Sequence, residues 1–236
     1  MRWFTVAAPA RHYDTRMRII ATTTVLLLIA TTARAEPGGL VVDVLDKDGA
    51  PVPGVAVYAV PADGALLPPT ALERPTAIMD QHDRAFVPHL LVVRTGTEIH
   101  FPNSDSVSHH VYSFSKTLPF ALPLYTGDVH PPLLFDTSGI VTLGCNIHDD
   151  MVGYVLVVDT PYFGTTSDRG SAKLASLPPG RYRVQIWTPR LRPGDVPAAV
   201  EIDVSPGTSA EVSYRFTSKL LPGHDRHGSS LKWSHY

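Results

Sequence analysis

The stretch that decides the fold is GIVTLGCNIHDDMVGYVLVV, residues 139–158. Two runs of β-branched and apolar residues, 139–144 and 152–158, flank the segment CNIHDDM. Such runs, separated by a short polar segment, predict two neighbouring strands joined by a tight loop. Cys145, at the start of that loop, is the only cysteine among the 236 residues. The segment therefore places a unique thiol where two strands turn.

The rest of the chain has the same character. Pro is abundant at 22 residues and Gly at 17, and short Val, Ile, Leu and Tyr runs alternate with turn signals. Hydrophobic residues make up 44% of the chain, which suits one or two domains with real cores. Long helical patterns are scarce. The composition predicts an all-β fold, either a β-sandwich or a barrel.

The N-terminus carries an export pattern. Arg16 and Arg18 precede an apolar run at 19–30, and small residues follow at Ala33 and Ala35. This pattern predicts a secretory signal peptide over residues 1–35, with translation starting at Met1 or at Met17. An N-terminal membrane anchor is the alternative, although the run is short for a span. Cleavage would leave a chain with a net charge near −6 and no basic patch for nucleic acid.

Three segments follow the signal sequence, with a tail at 218–236 that lacks periodicity and is predicted to be disordered. The central segment, 77–160, contains a regular series of short strands. The flanking segments, 36–76 and 161–217, have too few strands to fold separately. Their predicted strands cover 40–45, 55–60, 172–174, 182–187, 199–204 and 210–216. The first two of these strands are predicted to form a hairpin or a closely related corner.

The loop after the unique cysteine has the chemistry of a metal site. Cys145, His148 and Met151 stand three positions apart, so a short loop could bring all three around one ion. A fourth ligand would come from His109 or His110, which are adjacent on a predicted strand and therefore point to opposite faces. One Cys, two His and a Met form the ligand set of a mononuclear blue-copper site. A thioether is a poor ligand for zinc, and a lone exported thiol is open to oxidation unless something occupies it.

Two motifs together resemble a known family. The stretch EIHFPNSDSVSHHVYSF, residues 98–114, followed by residues 139–158, resembles the cupredoxin pattern of plastocyanin and amicyanin. Aligned on Phe101 and Asn103, the resemblance implies a Greek-key β-sandwich with one copper ion. The implied copper ligands are His109, Cys145, His148 and Met151.

The wider combination, including FPNSD and GCNIHD, resembles bacterial proteins labelled methylamine utilization protein. This resemblance implies an exported protein that transfers electrons in the periplasm during amine oxidation, with a periplasmic redox partner. One departure concerns the first ligand, where Ser108-His109-His110 replaces the Pro-His-Asn of the cupredoxin pattern. The hydrogen bond that ties the two ligand loops together could then come from Asn146 or Asp149.

The flanking segments resemble a second family. VVDVLDKDGAPVPGVAVYAVP at 41–61 and TTSDRGSAKLASLPPGRYRVQIW at 165–187 resemble parts of carboxypeptidase-regulatory-like (transthyretin-like) domains. Together they would supply about six strands, enough for one small sandwich. The cupredoxin segment would then be inserted into that sandwich. A continuous chain of strands without nesting is the alternative.

These features predict an electron carrier that is not itself an enzyme. No Ser-His-Asp pattern or Gly-rich phosphate loop stands out, and a dinuclear electron-transfer copper site would need two cysteines. A copper-binding or delivery protein is the first alternative. A binding module that has lost its metal is the second.

Overall fold

A computed structural model describes residues 35–64 and 74–223, and these residues form an all-β fold, as predicted. The predicted signal peptide and the tail from 224 onward lie outside the described residues. Within the described part of the chain there is no helix long and apolar enough to cross a membrane.

Seventeen strands are present in the described ranges. In chain order they are β1 Gly38–Leu45, β2 Ala56–Pro61, β3 Thr76–Ile78, β4 Asp80–His82, β5 Ala85–Val87, β6 Leu90–Arg94, β7 Thr97–His100, β8 His109–Ser113, β9 Phe120–Tyr125, β10 Leu133–Phe135, β11 Gly139–Cys145, β12 His148–Val158, β13 Phe163–Thr165, β14 Ser171–Leu177, β15 Gly180–Trp187, β16 Val200–Val204 and β17 Ser209–Arg215.

The first two strands pair with the last five. One sheet has the order β14-β1-β17, in which β1 is antiparallel to β14 and parallel to β17. A second sheet has the order β13-β2-β15-β16, and all of its pairs are antiparallel. Within the described chain, none of these seven strands belongs to a sheet with β3–β12. We call them the flanking strands.

The ten strands from β3 to β12, which we call the central strands, form the remaining sheets. The largest has the order β6-β12-β11-β8-β9, with β12 parallel to β6 and the other pairs antiparallel. A three-stranded sheet, β10-β7-β3, and the hairpin β4-β5 complete the group. The largest sheet places β8, β11 and β12 side by side, and these three strands carry the candidate ligands.

Each group of strands encloses its own hydrophobic core. Alternating apolar residues of the flanking strands, such as Val42, Val184 and Leu177, form one cluster. Residues of the central strands, such as Ile99 and Leu143, form another. A third cluster contains Ala56 of the flanking strands and Leu90 and Leu156 of the central strands, and the partly buried Tyr58, Tyr154 and Trp187 pack against it. Apolar contact thus joins the two groups.

The six strands predicted in the flanking segments are present, with each end within three residues of its predicted position, whereas β13 was not predicted. Of the two options for the first pair, the hairpin is wrong, because β1 and β2 belong to different sheets and the chain turns a corner between them. Strands β9 and β10 were not predicted. Pro123 interrupts the apolar run of β9, and β10 is three residues long, so neither gives a clear period-two pattern. The boundaries at 77 and 160 stay a prediction.

Candidate metal centre

The hairpin of β11 and β12 positions two of the candidate ligands. Cys145 ends β11, His148 begins β12, and the two residues pair across a turn made of Asn146 and Ile147. Gly144 pairs with Val152 but Cys145 pairs with His148, so residues 149–151 form an irregular, bulged part of β12 at this point. The Cys145 Sγ lies 3.7 Å from the His148 Nδ1. The tight loop predicted from the sequence is therefore a two-residue turn.

His109 comes from the neighbouring strand β8. Its strand pairs with β11 in a register that sets Val111 opposite Cys145. The His109 Nδ1 lies 3.6 Å from the Cys145 Sγ, and the His109 side chain is completely buried. One ligand atom from each of His109, Cys145 and His148 lies within 4.8 Å of the others. The structure thus brings together three of the four predicted ligands, two of them 36 residues apart in sequence.

The spacing of these atoms fits a single ion. Bonds of roughly 2.0–2.1 Å to nitrogen and 2.3 Å to sulfur, at angles between tetrahedral and trigonal, separate S from N by roughly 3.6–3.8 Å. The two S···N distances are 3.6 and 3.7 Å. One soft thiolate and two imidazoles form a donor set that suits copper.

Met151 and His110 occupy different environments. Met151 lies on β12, is 1% exposed and belongs to the same core cluster as Cys145. His110 is half-buried and packs against the ring of Tyr112 at a centroid distance of 6.3 Å. His109, rather than His110, is the member of the pair that faces Cys145. Consecutive residues of a strand point to opposite faces, which is why the two histidines separate.

Gly144 leaves space beside the cysteine for an aromatic ring. Tyr112 pairs with Gly144, and a Cβ built on Gly144 would lie 2.8 Å from the Tyr112 Cζ. Real Cβ atoms essentially never come this close to another heavy atom. The absence of a side chain lets the Tyr112 ring lie across β11 next to Cys145.

Two asparagines hold the segments that carry the candidate ligands, in different ways. The buried Asn103 side chain donates to the carbonyl oxygens of Val107 at 2.9 Å and Tyr125 at 2.7 Å, which joins the loop before β8 to strand β9. Asn146 donates its backbone N–H to the His110 carbonyl at 3.2 Å. Its side chain is exposed, so the contact between the ligand loops runs through the backbone of Asn146.

The sequence analysis missed Asp105. One of its carboxylate oxygens lies 3.0 Å from the His109 Nε2, on the side of the ring away from Cys145. Burial alone would raise the pKa of Asp105, but hydrogen bonds from the Arg84 N–H, the His109 ring and the Ser106 N–H lower it to about 2. The carboxyl group is therefore ionised at neutral pH. The sequence signal for Asp105 was an acidic residue four positions before the candidate ligand His109. That spacing alone does not show that the loop brings the Asp105 carboxylate back to the His109 ring.

The rim of the site contains exposed apolar and acidic side chains. Ile147, in the turn between Cys145 and His148, is 51% exposed. Asp149 and Asp150 are also exposed, whereas His148 is half-buried. His148 is therefore the most accessible of the three grouped residues. The acidic pair lies on the surface beside it.

Comparison with solved protein structures found several that are similar to part of this chain. No family model matches the chain, and no curated protein matches it. The purple cupredoxin from Nitrosopumilus maritimus is 22% identical, with a TM-score of 0.31 over 36% of this chain and 99% of its own. A reduced amicyanin mutant is 20% identical, with a TM-score of 0.33 over 43% of this chain and 99% of its own.

A copper-containing nitrite reductase from Thermus scotoductus is also 20% identical, with a TM-score of 0.34 over 49% of this chain and 28% of its own. Each of these similarities covers less than half of this chain. The resemblance of the flanking segments to carboxypeptidase-regulatory-like domains stays a prediction.

Proposed function

We propose that this chain is a mononuclear type 1 copper protein that carries electrons. The observation that supports this function most directly is the convergence of His109, Cys145 and His148, whose ligand atoms lie within 4.8 Å of one another. A cysteine and two histidines in one plane, with a distant thioether, are the ligands of type 1 copper. Met151, buried in the same core, is the proposed axial ligand.

The chain's own residues suit rapid electron transfer. Copper held by these ligands would supply one-electron chemistry by alternating between Cu(I) and Cu(II). Three hydrogen-bonded strands of one sheet hold the ligands, so the protein can offer nearly the same arrangement to both oxidation states. His148, half-buried beside the exposed Ile147, is the ligand through which a redox partner would exchange electrons.

We propose electron carriage rather than catalysis. Four protein ligands would close the copper site and leave no open position for a substrate, whereas catalytic metal sites keep one. The export pattern at residues 1–35 supports a periplasmic location and a periplasmic redox partner. The sequence resemblance to methylamine utilization proteins supports a place in amine oxidation.

The optical spectrum of the copper-loaded protein tests this proposal. The chain from Glu36 onward, loaded with Cu(II), is expected to be blue, with intense thiolate-to-copper absorption near ~600 nm. The absorption should disappear on reduction and return on oxidation. A colourless Cu(II) complex would exclude a type 1 site. Rapid transfer of copper to an acceptor protein would instead support the alternative function of copper delivery.

A matched pair of methionines tests the axial ligand. Met79 and Met151 are both almost completely buried in the core of the central strands. Met151→Leu should raise the reduction potential and shift the absorption bands, because the axial donor tunes both. Met79→Leu, measured in parallel, should change neither. Equal effects of the two variants would remove Met151 from the ligand set.

A further inference from the structure

We infer that Asp105 is a positioning residue for His109, and that the turn between β4 and β5 holds Asp105 in place. This inference rests on the proposed copper site. His109 would bind the metal through Nδ1, the atom 3.6 Å from the Cys145 Sγ, while its Nε2 lies 3.0 Å from an Asp105 carboxylate oxygen. Asp105 would therefore act through His109 without touching the metal.

The contact with Asp105 determines where the proton of His109 resides. A carboxylate only accepts hydrogen bonds, so the His109 Nε2 must carry the proton that forms this bond. The lone pair of the neutral ring is then on Nδ1, which faces Cys145. Because His109 is completely buried, the geometry leaves no room for the ring to bond to water instead. Asp105 thus selects the tautomer and the ring orientation that metal binding needs.

The Asp105 carboxylate is itself held by backbone donors. The Arg84 N–H donates to the oxygen that contacts His109, at 2.8 Å, and the Ser106 N–H donates to the other oxygen at 2.8 Å. The Asp105 N–H donates to the Asn103 side-chain oxygen at 3.0 Å. Both oxygens of Asp105 are therefore fixed before any metal binds.

Arg84 belongs to a strained turn. Asp83 and Arg84 join β4 to β5 and have φ values of 50° and 56°, the left-handed region that a two-residue hairpin of type I′ requires. Glycine is usual at the second position, because a residue with a Cβ is sterically strained there. The turn directs the Arg84 N–H at Asp105. Backbone strain of this kind is typical of functional sites, and here it accompanies the contact between the Arg84 N–H and Asp105.

A second contact fixes the β4-β5 hairpin against the ligand loop. The Ser104 N–H donates to the Asp80 carboxylate at 3.2 Å, and the Gln81 N–H donates to the Pro102 carbonyl at 3.1 Å. The hairpin therefore lies along residues 102–105, just before the strand that carries His109. A continuous set of hydrogen bonds leads from the β4-β5 turn through Asp105 to the ligand ring.

The expected consequence is selective stabilisation of Cu(II). A negative carboxylate bonded to the Nε2–H makes the ring a stronger donor through Nδ1, and Cu(II) gains more from this than Cu(I). Losing such a partner typically weakens metal binding by roughly 10–100-fold. We expect Asp105→Asn to lower the ratio of Cu(II) to Cu(I) affinity by this factor. The reduction potential would rise by ~59 mV for each tenfold change.

The experiment compares two substitutions with the same change in charge. Asp149 is an exposed carboxylate one residue from His148, so Asp149→Asn controls for loss of negative charge near the site. Voltammetry of the copper-loaded proteins should show a clearly larger rise in potential for Asp105→Asn than for Asp149→Asn. Equal shifts for the two Asn variants would overturn the inference.

A measurement on the wild type keeps the test independent of variant folding. The ¹⁵N and ¹H spectra of the Cu(I) protein should show a slowly exchanging Nε2–H on His109, hydrogen-bonded to a carboxylate. A proton on Nδ1, or rapid exchange of the Nε2 proton, would overturn the inference. If the protein gives no thiolate-to-copper absorption, the proposed function fails. The tautomer of His109 in the metal-free protein then still tests the role of Asp105.

Discussion

The central and flanking strands form hydrophobic cores of similar size, but the two groups of strands bury different kinds of polar side chain. In the described chain, the buried polar residues within three positions of a flanking strand are threonines, Thr160, Thr166 and Thr188. Two of them, Thr160 and Thr166, bond to backbone carbonyls. The central strands also bury a histidine, a glutamine and an asparagine, and their apolar cluster includes a cysteine and a methionine.

This difference separates side chains that only stabilise the fold from side chains that could take part in metal binding. Burying a polar group costs free energy unless it is fully hydrogen-bonded, so a polar core is expensive where it has no other role. The flanking core avoids that cost. The central core accepts it around His109, where Asp105 contacts the His109 ring and the buried Asn103 side chain donates to the Val107 carbonyl. The buried polar residues of the central core thus lie in the same part of the molecule as the candidate ligands.

The largest expected effect tests the two cores with matched serine substitutions. Cys145 and Ala172 are each 4% exposed, the first in the central core and the second in the flanking core. Cys145→Ser should abolish the intense absorption near ~600 nm of the copper-loaded protein, because the thiolate that produces it is lost. Ala172→Ser should leave the absorption unchanged. If Cys145→Ser kept the band, the proposed role of the central core would be wrong.

A matched pair of leucines separates stability from chemistry. Leu143 and Leu177 are completely buried in the central and flanking cores. Replacing either by Ala should lower the free energy of unfolding by about 2–5 kcal/mol, through lost burial and a cavity. Denaturant unfolding of the metal-free variants measures this loss. Leu143→Ala should also alter the copper spectrum, because Leu143 lies two residues before Cys145 on β11, and Leu177→Ala should not. A spectral change in both variants would contradict the separation.

The smallest expected effect concerns the raised pKa of a buried tyrosine, which occurs in both cores. Burial raises the pKa of Tyr182 in the flanking core to about 12, and burial also raises that of Tyr125 in the central core to about 12. An unfolded tyrosine ionises near pH 10. Stability contributed by Tyr182 is therefore complete below pH 10 and is lost as the pH rises toward 12.

Tyr182→Phe should reduce this alkaline loss of stability. The expected change is on the order of 1 kcal/mol at pH 11, where the unfolded tyrosine is ionised and the folded one is not. Below pH 9 the variant should be slightly less stable, because the hydroxyl donates to the Pro178 carbonyl at 2.8 Å. Urea unfolding of the metal-free proteins at pH 8 and pH 11 checks both statements. An unchanged pH dependence would mean that Tyr182 does not contribute.

Sequence patterns captured the strands that alternate clearly and the ligands that lie close together in sequence. The hairpin around Cys145 and His148 follows from two apolar runs and a short loop, and the choice between His109 and His110 needed only the register of β8 with β11. Asp105 was not predictable, because its role depends on a turn at Arg84 that is 21 residues away. The corner between β1 and β2 depended on long-range pairing, which local patterns do not contain.

The parallel pairing of β1 with β17 affects the order in which the chain can fold. Gly39 pairs with Ser209, 170 positions further along the chain, so β1 cannot form this pair until residues 209–215 have been synthesised. The β11-β12 hairpin, by contrast, closes as soon as His148 follows Cys145. Local contacts form early and distant ones late. The region that would hold the copper can therefore assemble while the first strand still lacks this partner.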